Sequence, residues 1–244
     1  MKAYFEPWWR PLSTVFLDPM VAFRVAASRP APGATLAALT ATTVAFGLST
    51  IPRQLSLLGR GLPFTGDPLM DAQHEAIREM VIRLIVIDRL VPQPTVIVAA
   101  VLILLVAEPA LMLARDRRKA IVAVAVLGLS PLVLERIGEL AITYLLSPAS
   151  QATPGVALTI PHRFVTGPAM FWRGNESVPQ WLEILDARVN LISLGCVALW
   201  SVGLRQLDGK NWQFWHVALP LMCLVGAGLV TWALTPVVIP LLMP

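Results

Sequence analysis

Two short stretches carry residue types that could do chemistry at a useful spacing. His74-Glu75-Ala-Ile-Arg78 begins like the helix of a zinc protease, where two histidines four residues apart share a face and hold the metal. Arg78 stands where the second histidine is needed, so a solvated helix face is the expectation here and no metal site. Gly128-Leu-Ser130-Pro131 offers a serine shortly after a glycine. It lacks the second glycine of a nucleophile elbow, and no histidine lies in the interior of a predicted span to act as its base. No Gly-rich loop ends in Lys-Ser/Thr, so the phosphate cradle of a nucleotide hydrolase is missing.

The remaining candidates are ionisable residues inside apolar runs. Glu108 precedes Pro109 in one run, and Glu135, Arg136 and Glu139 interrupt another after Ser130-Pro131. Such groups cost several kcal/mol each in lipid, which makes them functional candidates by default. They could form a polar path or a docking point for another membrane subunit. The alternative is structural. Glu135 lies about 24 Å along its helix from Lys119, near an interface where carboxylates reach water and Arg136 pairs with Glu139 one turn on.

These residues must be positioned by membrane helices. Of 244 residues, 56% are hydrophobic and 14% charged, and mean hydropathy is +0.69. An average soluble domain has about 25% charged residues, and a chain this apolar could not cover a soluble surface. Long disorder is excluded for the same reason. Cys196 and Cys223 both sit in apolar runs, which rules out a disulfide framework or a cysteine-rich metal site. No cofactor motif is present. Arginine outnumbers lysine 16 to 3, as GC-rich bacterial coding would give. The net charge of +4 comes from residues at the ends of apolar segments, which points to membrane orientation and away from nucleic acid.

About 20 mainly apolar residues are needed to span. The candidates are Ala34–Ile51 closed by Pro52, Gln93–Ala114, an unusually long run Lys119–Leu146, Val189–Leu204, and Trp215–Met243. The expected fold is therefore all-α and polytopic, with five transmembrane helices plus interfacial amphipathic helices. An amphipathic segment, 1–33, precedes a membrane domain, 34–244. Met1–Arg10 carries no signal-peptide core, so insertion is expected to depend on the first span. Segments 1–33, 115–119 and 205–214 hold ten of the nineteen Lys/Arg in 48 residues, whereas 53–92 and 147–188 hold eight in over 80. The short basic turn Arg115, Arg117, Arg118 and Lys119 weighs most under the positive-inside rule. It places the N-terminus in the cytoplasm and makes 53–92 and 147–188 outer loops.

Three segments read as amphipathic. Asp18-Pro19 is an N-cap followed by Pro at the first helical position, starting a helix with Met20, Phe23 and Ala27 on one face for the inner headgroup layer. Asp67-Pro68 starts a helix over 68–90, with Met70, Ile77, Met80, Val81 and Leu84 as an apolar stripe and Glu79 spaced to pair with Arg83. Ser177-Val-Pro-Gln180 fits a capping box. Gly195-Cys196 and Gly226-Ala-Gly228 predict close packing of the fourth span on the fifth. The tryptophans Trp172, Trp181, Trp200, Trp212, Trp215 and Trp232 read as an interfacial belt.

Several of these features together resemble the Yip family of five-span membrane proteins. They are Phe16-Leu-Asp-Pro-Met-Val-Ala-Phe-Arg24 before the first span, Ala125–Leu134 with its central Ser-Pro, and Leu191–Leu207 ending in Trp-Ser-Val-Gly-Leu-Arg-Gln-Leu. The resemblance covers roughly residues 12–240. It departs at Arg115-Asp-Arg-Arg-Lys119, where a Gly-rich turn would be expected, and at the Pro-rich loop 147–188. What the resemblance implies is a non-enzymatic protein of the bacterial inner membrane, an accessory or assembly subunit of a larger complex, with an ABC-type exporter as the first candidate. Its partners would be the bilayer and a permease, ATPase or adaptor. An autonomous transporter or channel using the intramembrane carboxylates is the alternative reading. An intramembrane enzyme ranks third, because no nucleophile–base pair or metal set can be assembled.

Overall fold

A computed structural model describes residues 10–61, 66–90, 93–113, 117–146 and 190–242. The described residues are helical and contain no strand. The helices are α1 (Arg10–Leu17), α2 (Pro19–Ser28), α3 (Pro32–Gly61), α4 (Pro68–Leu90), α5 (Pro94–Ala110), α6 (Arg118–Leu127), α7 (Pro131–Ala141, extended by a π turn Ile142–Leu146), α8 (Leu191–Asp208) and α9 (Phe214–Leu242). Three runs are long and apolar enough to cross a membrane: Pro32–Ser56, Arg118–Leu145 and Phe214–Leu234. Pro94–Ala110 is apolar but shorter.

Helix starts follow local chemistry. The Asp18 carboxylate accepts the Val21 N–H at 3.0 Å, with Pro19 in the first turn of α2. Asp67 accepts from Leu69 N–H at 2.9 Å at the head of α4. Asn190 and Ser193 form a reciprocal capping box at α8. The box expected at Ser177–Gln180, loop 147–188, Arg115, Trp172 and Trp181 lie outside the described residues.

Helix ends differ from expectation in two places. Pro52 does not close the first span; α3 continues through it to Gly61. α5 stops four residues short of Ala114. The Leu113 N–H reaches the Glu108 carbonyl at 2.9 Å and the Met112 N–H the Pro109 carbonyl at 3.3 Å, while Met112 adopts φ +52. This is a Schellman stop with methionine in the left-handed position usually given to glycine.

The centre of the fold is α6–α7, whose apolar window is 83% buried, against 33% for α3 and 28% for α9. It is flanked by α3, α5 and α8, with α2 laid across α6 and α8. Gly128–Ser130 breaks it: Leu129 N–H bonds Val126 O in place of Ala125 O, and Pro131 has no N–H to give. The freed Ala125 carbonyl accepts the Trp200 indole N–H at 2.9 Å. Trp200 is fully buried, so it belongs to the core and not to the interfacial belt; Trp212, Trp215 and Trp232 are exposed. A Cβ on Gly128 would overlap that indole.

Small residues serve other neighbours than the sequence suggested. Gly226 on α9 faces Leu102 of α5 and Gly195 on α8 faces Pro131 of α7, so neither glycine mediates α8–α9 packing. Gly203 on α8 lets Val124 and Phe23 close in, and a Cβ there would meet Phe23 at 2.8 Å. Phe23 is fully buried, so this face of α2 rests on protein and not on headgroups. Val21 and Val25 of the same helix stay exposed.

Candidate functional site

Polar side chains gather at the two ends of the bundle. Three helices connect the ends: α5 runs from Gln93 to Glu108, α6–α7 from Arg118 to Glu139, and α8 from Asn190 to Asp208. Glu108 lies fifteen positions after Gln93, about 22 Å at 1.5 Å per residue.

At the first end, the Arg136 Nη1 donates to Glu139 Oε2 at 2.7 Å, with both side chains under 5% exposed. The sequence placed the pair at water's edge. The i,i+3 pairing forms as expected, but the neighbouring helices cover it. Glu135, half-buried, accepts from the Gln93 Nε2 at 2.6 Å, tying α7 to the start of α5. Thr50 and Gln54 of α3, Thr143 of the π turn, and Asn190 and Ser193 of α8 are buried as well. Tyr144 donates to the Ser49 carbonyl at 2.8 Å, in the α3 turn where Pro52 leaves the Leu48 carbonyl without its helical donor. The sequence offered Glu135, Arg136 and Glu139; it did not offer Gln93, whose amide is the cross-helix partner. A Gln just before Pro94 at a predicted span end was the available signal.

At the second end, Glu108 pairs with Arg118 through two contacts of 2.9 and 3.4 Å. The pair closes the α5–α6 hairpin. Arg117, exposed on the same turn, donates to the Leu207 carbonyl at the last turn of α8, where unpaired carbonyls attract cations. Lys119, also exposed, follows in the first turn of α6. Asp208 accepts from Lys210 at 3.2 Å and sits 3.2 Å from His216 Nε2. The His216 Nδ1 accepts the Gln213 N–H at 3.0 Å, so in the neutral ring Nε2 bears the proton and donates to Asp208. The Arg205 guanidinium lies 5.0 Å from the Trp212 ring centroid. The sequence did not single out Asp208–His216, since its members are eight residues apart and meet only because Gly209, at φ +71, turns the chain after α8.

The chemistry these arrangements support is positional. Glu75 pairs with Arg78 at 3.5 Å on exposed α4, so the His74–Arg78 stretch is a solvated ion-pair face, and Glu79 pairs with Arg83 at 3.4 Å as its spacing required. Ser130 is fully buried at the α6–α7 break, whereas the buried histidine, His216, is at the second end. Cys196 and Cys223 are buried and unbridged. Among the described residues no three His, Cys, Asp or Glu side chains converge as a metal set. No protein-family model, curated protein or solved structure matches the chain.

Proposed function

We propose that the chain is a non-enzymatic, five-span protein of a bacterial inner membrane, similar to the Yip family, acting as an accessory or assembly subunit of a larger membrane complex such as an ABC-type exporter. The spans are α3, α5, α6–α7, α8 and α9. The contacts support their alternation: Ser49–Tyr144 and Gln93–Glu135 join helices at one end, Glu108–Arg118 and Arg117–Leu207 at the other. The basic second end is cytoplasmic under the positive-inside rule, with the N-terminal segment beside it and α4 outside. At about 26 and 27 Å, α5 and α8 are a few ångströms short of the ~30 Å hydrocarbon core, a mismatch that local thinning absorbs.

The observation that carries the reading is α4. It packs against α3 and leaves Leu69, Met70 and Met80 exposed on a 23-residue amphipathic helix. Flexible methionines on an exposed face suit a protein partner. The transporter reading is less well supported, because Glu108 and Glu135 are engaged at opposite ends of the bundle and do not line one path. The test is a mild-detergent pull-down of the tagged chain, co-expressed with its genomic neighbours, with mass spectrometry of what co-purifies. A stoichiometric permease, ATPase or adaptor is expected, lost when Leu69, Met70 and Met80 are all changed to Ser. A solitary band from the unaltered chain would end the proposal.

A further inference from the structure

A groove of about 260 Å³ opens at the basic end, between α2, the α5–α6 turn and the end of α8. It is lined by Arg24, Ala27, Ser28, Arg117, Gln206 and Leu207. Three other cations at this end are engaged. Arg118 is held by Glu108, Lys210 by Asp208, and Arg205 lies against Trp212. Two carboxylates at this end, among the described residues, are used in the same way: Asp208 also faces His216, and Asp18 caps α2. Arg24 and Arg117 have no carboxylate partner among the described residues, so two formal positive charges face one cavity together with a hydroxyl and an amide. Arg117 is held in place through the Leu207 carbonyl, which reduces the freedom it would lose on binding.

We infer that this groove binds a phosphate group, as the headgroup of an anionic phospholipid or as a free phosphate ester. Two guanidiniums match the planar, bidentate recognition of phosphate oxygens. The Gln206 amide, one N–H of which reaches the Met20 sulfur at 3.6 Å, has a second N–H to give, while the Ser28 hydroxyl donates to the Val25 carbonyl at 3.2 Å. The lipid source has support from position. Val21 and Val25 flank Arg24 on α2 and are exposed, giving acyl chains an apolar surface beside the charged groove, and basic pockets between membrane helices take such headgroups. The site stands on the groove alone and is independent of what α4 contacts.

The test is binding to the full chain in detergent, by thermophoresis, of short-chain phosphatidic acid, phosphatidylglycerol and phosphatidylcholine, and of sn-glycerol 3-phosphate. The expected result is saturable binding of anionic phosphate ligands over phosphatidylcholine. R24Q weakens it about tenfold or more, the loss of one charge-assisted contact. R24Q leaves the Arg117–Leu207 anchor intact, so it separates binding from folding; R29Q, outside the groove, is the control and keeps wild-type affinity. Binding of the lipids alone assigns the site to a headgroup, and equal binding of glycerol phosphate assigns it to a soluble ester. Unselective binding, no binding, or an affinity unchanged in both R24Q and R24Q/R117Q overturns the inference.

Discussion

Replacing Glu139 by Gln removes one charge from a buried pair and keeps the side-chain volume. The Arg136 guanidinium would then remain under 5% exposed with its 2.7 Å carboxylate partner gone. At an effective dielectric near 20 and about 4 Å between charge centres, the lost Coulomb term is about 4 kcal/mol. Breaking one side of a buried pair costs about 3–5 kcal/mol when measured directly. For a chain of this size 1 kcal/mol is worth roughly 2–4 °C, so E139Q should lower the melting temperature in detergent by roughly 6–20 °C. The paired replacement R136M/E139M removes both charges and should recover most of that loss, since apolar residues of similar volume often replace a buried ion pair at little cost. The assay is thermal unfolding of the purified variants in one detergent, followed by tryptophan fluorescence. An E139Q melting point within about 2 °C of the wild type would refute the reasoning, as would a double variant no better than the single one.

Trp200→Phe keeps an aromatic ring but removes the donor to the Ala125 carbonyl and leaves part of the buried indole's space empty; it should destabilise by about 2–4 kcal/mol, read in the same melts. Met112→Gly relieves a left-handed backbone at a side chain 93% exposed, and a gain of up to about 1 kcal/mol is expected by chemical denaturation. Glu108→Gln should change stability by no more than about 1 kcal/mol, because its partner Arg118 is 63% exposed; a loss as large as that of E139Q would show the hairpin pair to be dry. Gly203→Ala forces a Cβ against Phe23 and Val124 and should cost about 1–3 kcal/mol, with Phe23→Leu in the same chain recovering part of it.

The helix starts at Asp18 and Asp67 were legible because a cap depends on residues within one turn. The same locality explains why the end of α5 was misplaced: nothing in the composition of Leu111–Ala114 marks a stop, and the left-handed Met112 is tolerated without a glycine to announce it. The pair Arg136–Glu139 could be read from spacing, and its burial could not. Between Pro131 and Leu140, Leu132, Val133, Leu134, Ile137 and Leu140 are interspersed with the charged Glu135, Arg136 and Glu139, a pattern that fits either an interface or a protein-filled interior. The Arg24–Arg117 groove joins residues 93 positions apart and left no trace in the one-dimensional pattern.

Hydrophobicity, helical period and capping residues are properties of the chain itself, and they determined that this protein is built from apolar helices and where most of them begin. Which side of each helix meets lipid and which meets protein was decided only by packing. Both environments are apolar, so the hydrophobic pattern does not distinguish them. α6–α7 became the buried centre, Trp200 filled the break at Gly128–Ser130, and Gly226 turned to Leu102, because each surface closed on the neighbour whose shape and free carbonyl it could satisfy.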